Sequence, residues 1–228
     1  MARGAQGLKI WKDFGLHVRD QNGSLVRVDD HRLDPLWNAV DELGLPVMIH
    51  VADPVAFFDP MDATNERWDE LKAHPEWRFL APQFPPFISI MEDFARLVTR
   101  FPNLKFIAAH VGCYAENLEW VSSLMQRCPN LTVDISARIS ELGRQPYSAK
   151  RFIERFSDRV LFGIDCGPDL DAYHTYYRFL ETDDEYFNYS NAVFPEQGRW
   201  QIYGLELEKS VLENIYFNNA AKLFGLAK

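Results

Sequence analysis

The chain is poor in cysteine, with only Cys113, Cys128 and Cys166 among its 228 residues. Their number is odd and no two stand in a C-x-x-C spacing. That excludes a disulfide framework and fits reduced thiols. No apolar run is long enough to cross a bilayer, and the opening MARGAQGLKI lacks the apolar centre of a secretion signal. Together these absences predict a cytoplasmic protein. Basic residues are in deficit, 24 Lys and Arg against 33 Asp and Glu, for a net charge of −9. This disfavours nucleic acid or an anionic membrane as the main partner and leaves a small molecule as the expected one. There is no repeat, low-complexity tract or linker to divide the chain, so 1–228 reads as one domain.

What is present is apolar and aromatic. Hydrophobic residues make up 47% of the chain and aromatics 14%, enough for a sizeable core and too much for disorder. Three apolar runs each end on a side chain that can hold a metal. Pro46-Val47-Met48-Ile49 leads into His50, Lys105-Phe106-Ile107-Ala108-Ala109 into His110, and Val160-Leu161-Phe162-Gly163-Ile164 into Asp165. The C-terminal ends of strands are where (β/α) barrels carry their chemistry. Two imidazoles and a carboxylate are ligand types that catalytic zinc and related metals use. Taken singly, either histidine could be an ordinary hydrogen-bonded core residue. The shared pattern on three separate runs points to a metal site.

Between these runs the chain alternates strand and helix. Gly7 to Trp11 reads as a strand. Asp34 and Pro35 open a helix that Gly44 closes. Ser89 and Glu92 have capping-box spacing, so a helix should run from there to about Phe101. Leu118, Val121, Leu124, Met125 and Cys128 recur at helical spacing. A strand over Leu131–Ser136, a helix over Ser148–Phe156 and a strand over Val160–Asp165 follow. A second capping box at Ser210 and Glu213 opens a last helix ending near Gly225. Five strands alternating with helices predict an α/β fold with a parallel sheet, and their unbroken apolar character predicts cover on both faces. Two stretches break the alternation: a proline-rich one from Ala52 to Pro86 and an aromatic, acidic one from Tyr173 to Tyr203. Each follows a strand ending in a candidate ligand, so each is expected to wall the pocket.

The runs GLPVMIH, FIAAHVG and VLFGIDCGPD and the terminal NIYFNNAAKLFGL resemble the amidohydrolase-related family of metal-dependent enzymes, from about Gly7 to Gly225. The resemblance implies a (β/α)8 TIM-type barrel and an enzyme: a metal-dependent hydrolase acting through a metal-activated water, or a non-oxidative decarboxylase. It implies a divalent metal, zinc or manganese. It places His50 at the fifth strand as a metal ligand, His110 at the sixth as ligand or acid/base residue, and Asp165 at the eighth as metal ligand and proton carrier. The family's first-strand H-x-H or E-x-H motif has no counterpart, because none of the six histidines lies two residues from another. GLKIW matches the fourth strand, with Met1 to Gln6 as the tail of a preceding helix. The expectation is therefore an incomplete barrel of about strands 4 to 8, N-terminally truncated. A short protein that closes its sheet with a second copy is the other reading, so a homo-oligomer stays open. A catalytically inactive fragment or interaction protein is the alternative function.

Three more residues bear on the site. Alternation puts Lys9 on the strand face opposite Leu8 and Ile10, where it could bind an anionic substrate. The resemblance adds a carbamylated lysine as an alternative, and aldolase chemistry a Schiff base. Arg138, just past a strand end, could hold a substrate carboxylate or form a structural ion pair. Asp134, in the same strand, should be hydrogen-bonded if buried.

Overall fold

The computed structural model describes residues 4–193 and 195–226. Five strands form one sheet in the order β1 (Leu8–Ile10), β2 (Val47–Ile49), β3 (Phe106–Ala108), β4 (Leu131–Asp134) and β5 (Val160–Leu161). Every neighbouring pair is parallel. Sequential parallel strands with helices between them are the successive βα units that the alternation predicts, and they are consistent with the incomplete barrel that the family resemblance implies. The reading of 1–6 as a helix tail falls partly on residues 1–3, outside the described residues; positions 4–7 have no regular structure.

Register separates the two faces of the sheet. Ile10, Ile49, Ala108 and Val133 align, as do Val47, Phe106 and Leu131, and all are buried in the helix-covered core. Lys9, Met48, Ile107 and Thr132 align on the other face. Lys9 is exposed and Met48 and Thr132 are half-buried. Cover on both faces, expected from the apolar runs, is therefore incomplete on the side that a closed barrel turns inward.

Several boundaries differ from the expected ones. The first helix covers Asp34–Glu42, but Asp34 lies inside it. The capping carboxylate is Asp30, which accepts from Arg32 N–H ahead of a 3-10 turn. The third helix spans Phe87–Arg100 and starts directly after Pro86. Ser89 there accepts from Arg27 instead of capping. Helices Leu118–Arg127 and Pro146–Arg155 lie close to where periodicity puts them. The aromatic stretch is partly helical, since Leu170–Glu181 is a helix capped by Asp169. The last helix begins at Lys209, passes through a π-helical segment, Asn214–Asn218, and ends at left-handed Gly225.

β5 is shorter than its apolar run. Phe162 N–H bonds to the carbonyl of Ile215 in the π-helical segment, not to a strand partner. A π-turn shifts the helix's own hydrogen bonding and releases carbonyls for such contacts. The C-terminal helix thus covers the outer edge of β5, which would otherwise offer unpaired backbone groups.

Candidate active site

His50, His110 and Asp165 all lie just beyond the C-terminal ends of β2, β3 and β5, at one end of the sheet. The backbone there is unusual. His110, Val111, Cys113, Ala137 and Asp165 all have positive φ, between 51° and 61°. Left-handed geometry is costly for residues with a Cβ, most of all for β-branched Val111. Strain of this kind persists only where surrounding contacts hold it, and it clusters at functional sites.

The two imidazoles are buried side by side, with ring centroids 4.5 Å apart. His50 Nε2 lies 3.0 Å from the Ala52 carbonyl. A carbonyl only accepts, so Nε2 carries the hydrogen and Nδ1 the lone pair. That Nδ1 is buried and has no protein partner. In His110 the roles are reversed. Nδ1 lies 2.8 Å from the Ser136 carbonyl and must donate, which leaves Nε2 bare, 3.8 Å from Asp165 Oδ2. Burial, then the Arg138 charge and the His50 ring, push the His110 pKa down to about 4. It is therefore neutral near pH 7, the state that ligates metals. An orphaned imidazole nitrogen, a second bare nitrogen and a carboxylate suit a divalent ion. As they stand, however, no group of three or more His, Cys, Asp or Glu among the described residues is close enough to hold one. The pairs are near, but Asp165 is more than half exposed and does not close the set.

The other predicted residues divide. Arg138 is 5% exposed, and among the described residues its one side-chain hydrogen bond runs from Nη1 to the Ala137 carbonyl, its own chain neighbour. Among the described residues it has no carboxylate within 4.0 Å, though its charge acts at longer range on buried Glu141 and Glu116. Lys9 does not reach the histidines. It lies over the Trp11 ring at 5.6 Å, and Trp11 meets His50 edge-on at 5.0 Å. Lys12 is paired with Asp53, whose other oxygen is 3.4 Å from His50 Nε2. Burial opposes ionisation of Asp53, but the His50 hydrogen bond and the Lys12 charge outweigh it and hold the carboxyl at about 2.

Beside the strand ends lies a cavity of about 430 Å³, walled by Ala137, Ile139, Ile164, Tyr176, Tyr189 and Gln197 among others. Much of this wall comes from the aromatic stretch, whereas the proline-rich stretch contributes nothing to it and none of His50, His110 and Asp165 lines it. The residues missed from sequence are Asp53, Ser136, Arg67 and Glu141. Asp53 stands three residues after His50, a spacing that could have drawn notice. Ser136 acts through its carbonyl, which no sequence pattern marks.

A parallel βα array with imidazoles and a carboxylate at its C-terminal end places the fold in the TIM-barrel class. The chain belongs to the Amidohydrolase family, whose model matches residues 2–226. No protein of curated function matches it by sequence. Among solved structures it is similar to a TIM-barrel protein from Bordetella bronchiseptica, at 18% identity and a TM-score of 0.50, covering 87% of this chain and 52% of that one. It is similar to a dihydroxybenzoic acid decarboxylase from Polaromonas sp. JS666, solved with manganese and the inhibitor 2-nitroresorcinol. There the identity is 18% and the TM-score 0.51, covering 90% of this chain and 57% of that one. A 2,6-dihydroxybenzoate decarboxylase complexed with 2,6-dihydroxybenzoate matches at 19% identity and a TM-score of 0.50, covering 91% and 60%. At these identities the likeness speaks for the fold. The chain spans roughly half to three-fifths of these proteins' lengths.

Proposed function

We propose that this chain carries the later half of a metal-dependent amidohydrolase centre acting on a small carboxylated or aromatic substrate. The observation that carries this reading is the pair of bare imidazole nitrogens, His50 Nδ1 and His110 Nε2, buried together with Asp165 beside them. His50, His110 and Asp165 would hold the metal, zinc or manganese. When bound, such a metal acidifies a water and polarises a carbonyl. Asp165 takes a proton from the attacking water and returns it to the leaving group, a role its exposed carboxylate suits. His110 lies within reach of the same proton path. Arg138, a buried guanidinium without a carboxylate partner, orients an anionic substrate group by a bidentate contact. Tyr176 and Tyr189 in the wall of the neighbouring cavity offer rings against which a planar body could lie.

Hydrolysis is the first reading and non-oxidative decarboxylation the second; the unpaired Arg138 and the decarboxylases of like fold favour the latter's substrates. The test is an assay of zinc- or manganese-loaded protein on aromatic carboxylic acids for CO2 release, and on carboxylated amides, esters and lactones for hydrolysis. One activity is expected, reduced at least about a hundredfold by Asp165→Asn, as befits a lost acid/base group. Arg138→Met should raise KM. A metal-loaded chain that turns over neither class contradicts the enzyme reading and leaves an inactive fragment or interaction protein.

A further inference from the structure

The end of β4 supplies none of the three donors, yet it touches the elements that carry two of them. Asp134 is 4% exposed and uses one oxygen, Oδ1, twice. It accepts from the His110 backbone N–H at 3.0 Å and from the Ser136 backbone N–H at 2.9 Å. The Ser136 carbonyl then accepts from His110 Nδ1 at 2.8 Å. A single carboxylate thus holds the left-handed His110 backbone and also the residue whose carbonyl faces the ring, through the N–H of its preceding peptide. On its other side Ser136 meets β5. A Cβ placed on Gly163 would collide with Ser136 Oγ, while Ser136 Cβ would stay 3.5 Å away. Gly163 is two residues before Asp165, so the serine hydroxyl sits in the space that the glycine leaves beside the aspartate's strand end.

We infer that Asp134 and Ser136 are positioning residues: they lock His110 in the tautomer that bares Nε2, and they set the approach of the Asp165 turn to it. The inference rests on the proposed reading of His110 and Asp165 as donors, but it concerns geometry that exists without a ligand. Outer contacts of this sort fix imidazole orientation, and losing them typically costs 10- to 100-fold in metal affinity. Asp134 does so through the backbone as well as through the ring's partner. Without it the left-handed His110 loses the hydrogen bond that offsets its conformational cost.

The test uses the full chain, metal-free, with 15N-labelled histidine. In the wild type the 15N shifts of His110 should report one tautomer, with the hydrogen on Nδ1. Asp134→Ala should give a mixture of tautomers and weaken Mn2+ binding about 10- to 100-fold. Asp134→Asn keeps an oxygen that accepts two N–H bonds and should retain both the tautomer and the affinity. That rescue separates positioning from a requirement for charge. An Asp134→Ala protein with the wild-type tautomer overturns the inference. If that variant does not fold, the second pair decides. Gly163→Ala alone should weaken Mn2+ binding, and Gly163→Ala with Ser136→Ala should restore it, because the colliding hydroxyl is gone. A double variant no better than Gly163→Ala overturns the claim for Ser136. If wild-type protein binds no Mn2+, the metal-site reading fails, while the tautomer measurement still decides whether Asp134 positions His110.

Discussion

Cys113 and Cys166 follow the strand-end residues His110 and Asp165 by three positions and one, and their surroundings set them apart. Cys113 is buried at a left-handed position, and burial pushes its thiol up to about 11. Cys166 is exposed. Thiolate, not thiol, reacts with alkylating agents. Iodoacetamide near neutral pH should therefore label Cys166 in the native protein and spare Cys113 and Cys128, as read by peptide mass mapping. Labelling of Cys113 in folded protein would contradict the packing behind the histidines. At this scale the clustering of His50, His110 and Asp165 at one end of the sheet was legible in sequence, because an apolar strand ending in an ionisable residue is a local pattern. Asp53 was not, since its pairing with Lys12 spans 41 positions. Nor was the lack of a direct salt bridge at Arg138, whose charge acts on Glu141 from beyond contact distance.

Between elements, the two long stretches are clamped to each other and to the short helix Ile139–Gly143. Arg67, 1% exposed, pairs with the fully buried Glu141 and with Glu70 at 2.8 Å. Burial opposes the charge on Glu141, but Arg67 and then Arg138 keep its pKa below the ordinary value. Arg144 grips Glu66 through two bonds of 2.7 Å and lies 4.2 Å from the Trp200 ring, while Arg199 grips Asp69 at 2.6 Å. Removing one partner of a buried pair strands a charge, at a cost of roughly 3–5 kcal/mol, whereas replacing both with apolar groups is often neutral. Arg67→Ala should therefore lower stability by about that much in urea melts, and Arg67→Met with Glu141→Leu should recover most of it. Equal losses in both would contradict the clamp. Sequence periodicity located the longer helices because an amphipathic face is repeated over several turns. It misplaced their starts, because Asp30 and Pro86 cap or lead them according to how the chain enters. It overextended β5, because the end of that strand is set by Ile215, more than fifty residues away in sequence.

For the whole molecule, strand–helix alternation was enough to predict a parallel sheet of five strands, since each βα unit is built from neighbouring residues, and the fold sets them in sequential order. The exposed inward face was not legible, because apolar runs do not report what lies across from them. Lys9 and the half-buried Met48 and Thr132 mark that face. The central claim is that the ends of β2, β3 and β5 together bind a divalent metal. Mn2+ titration followed by electron paramagnetic resonance tests it most directly, on the wild type and on His50→Ala, His110→Ala and Asp165→Asn. Binding at about micromolar levels, weakened at least about tenfold in each variant, is the predicted result. Absence of binding to the wild type, or binding that all three substitutions leave unchanged, would contradict it.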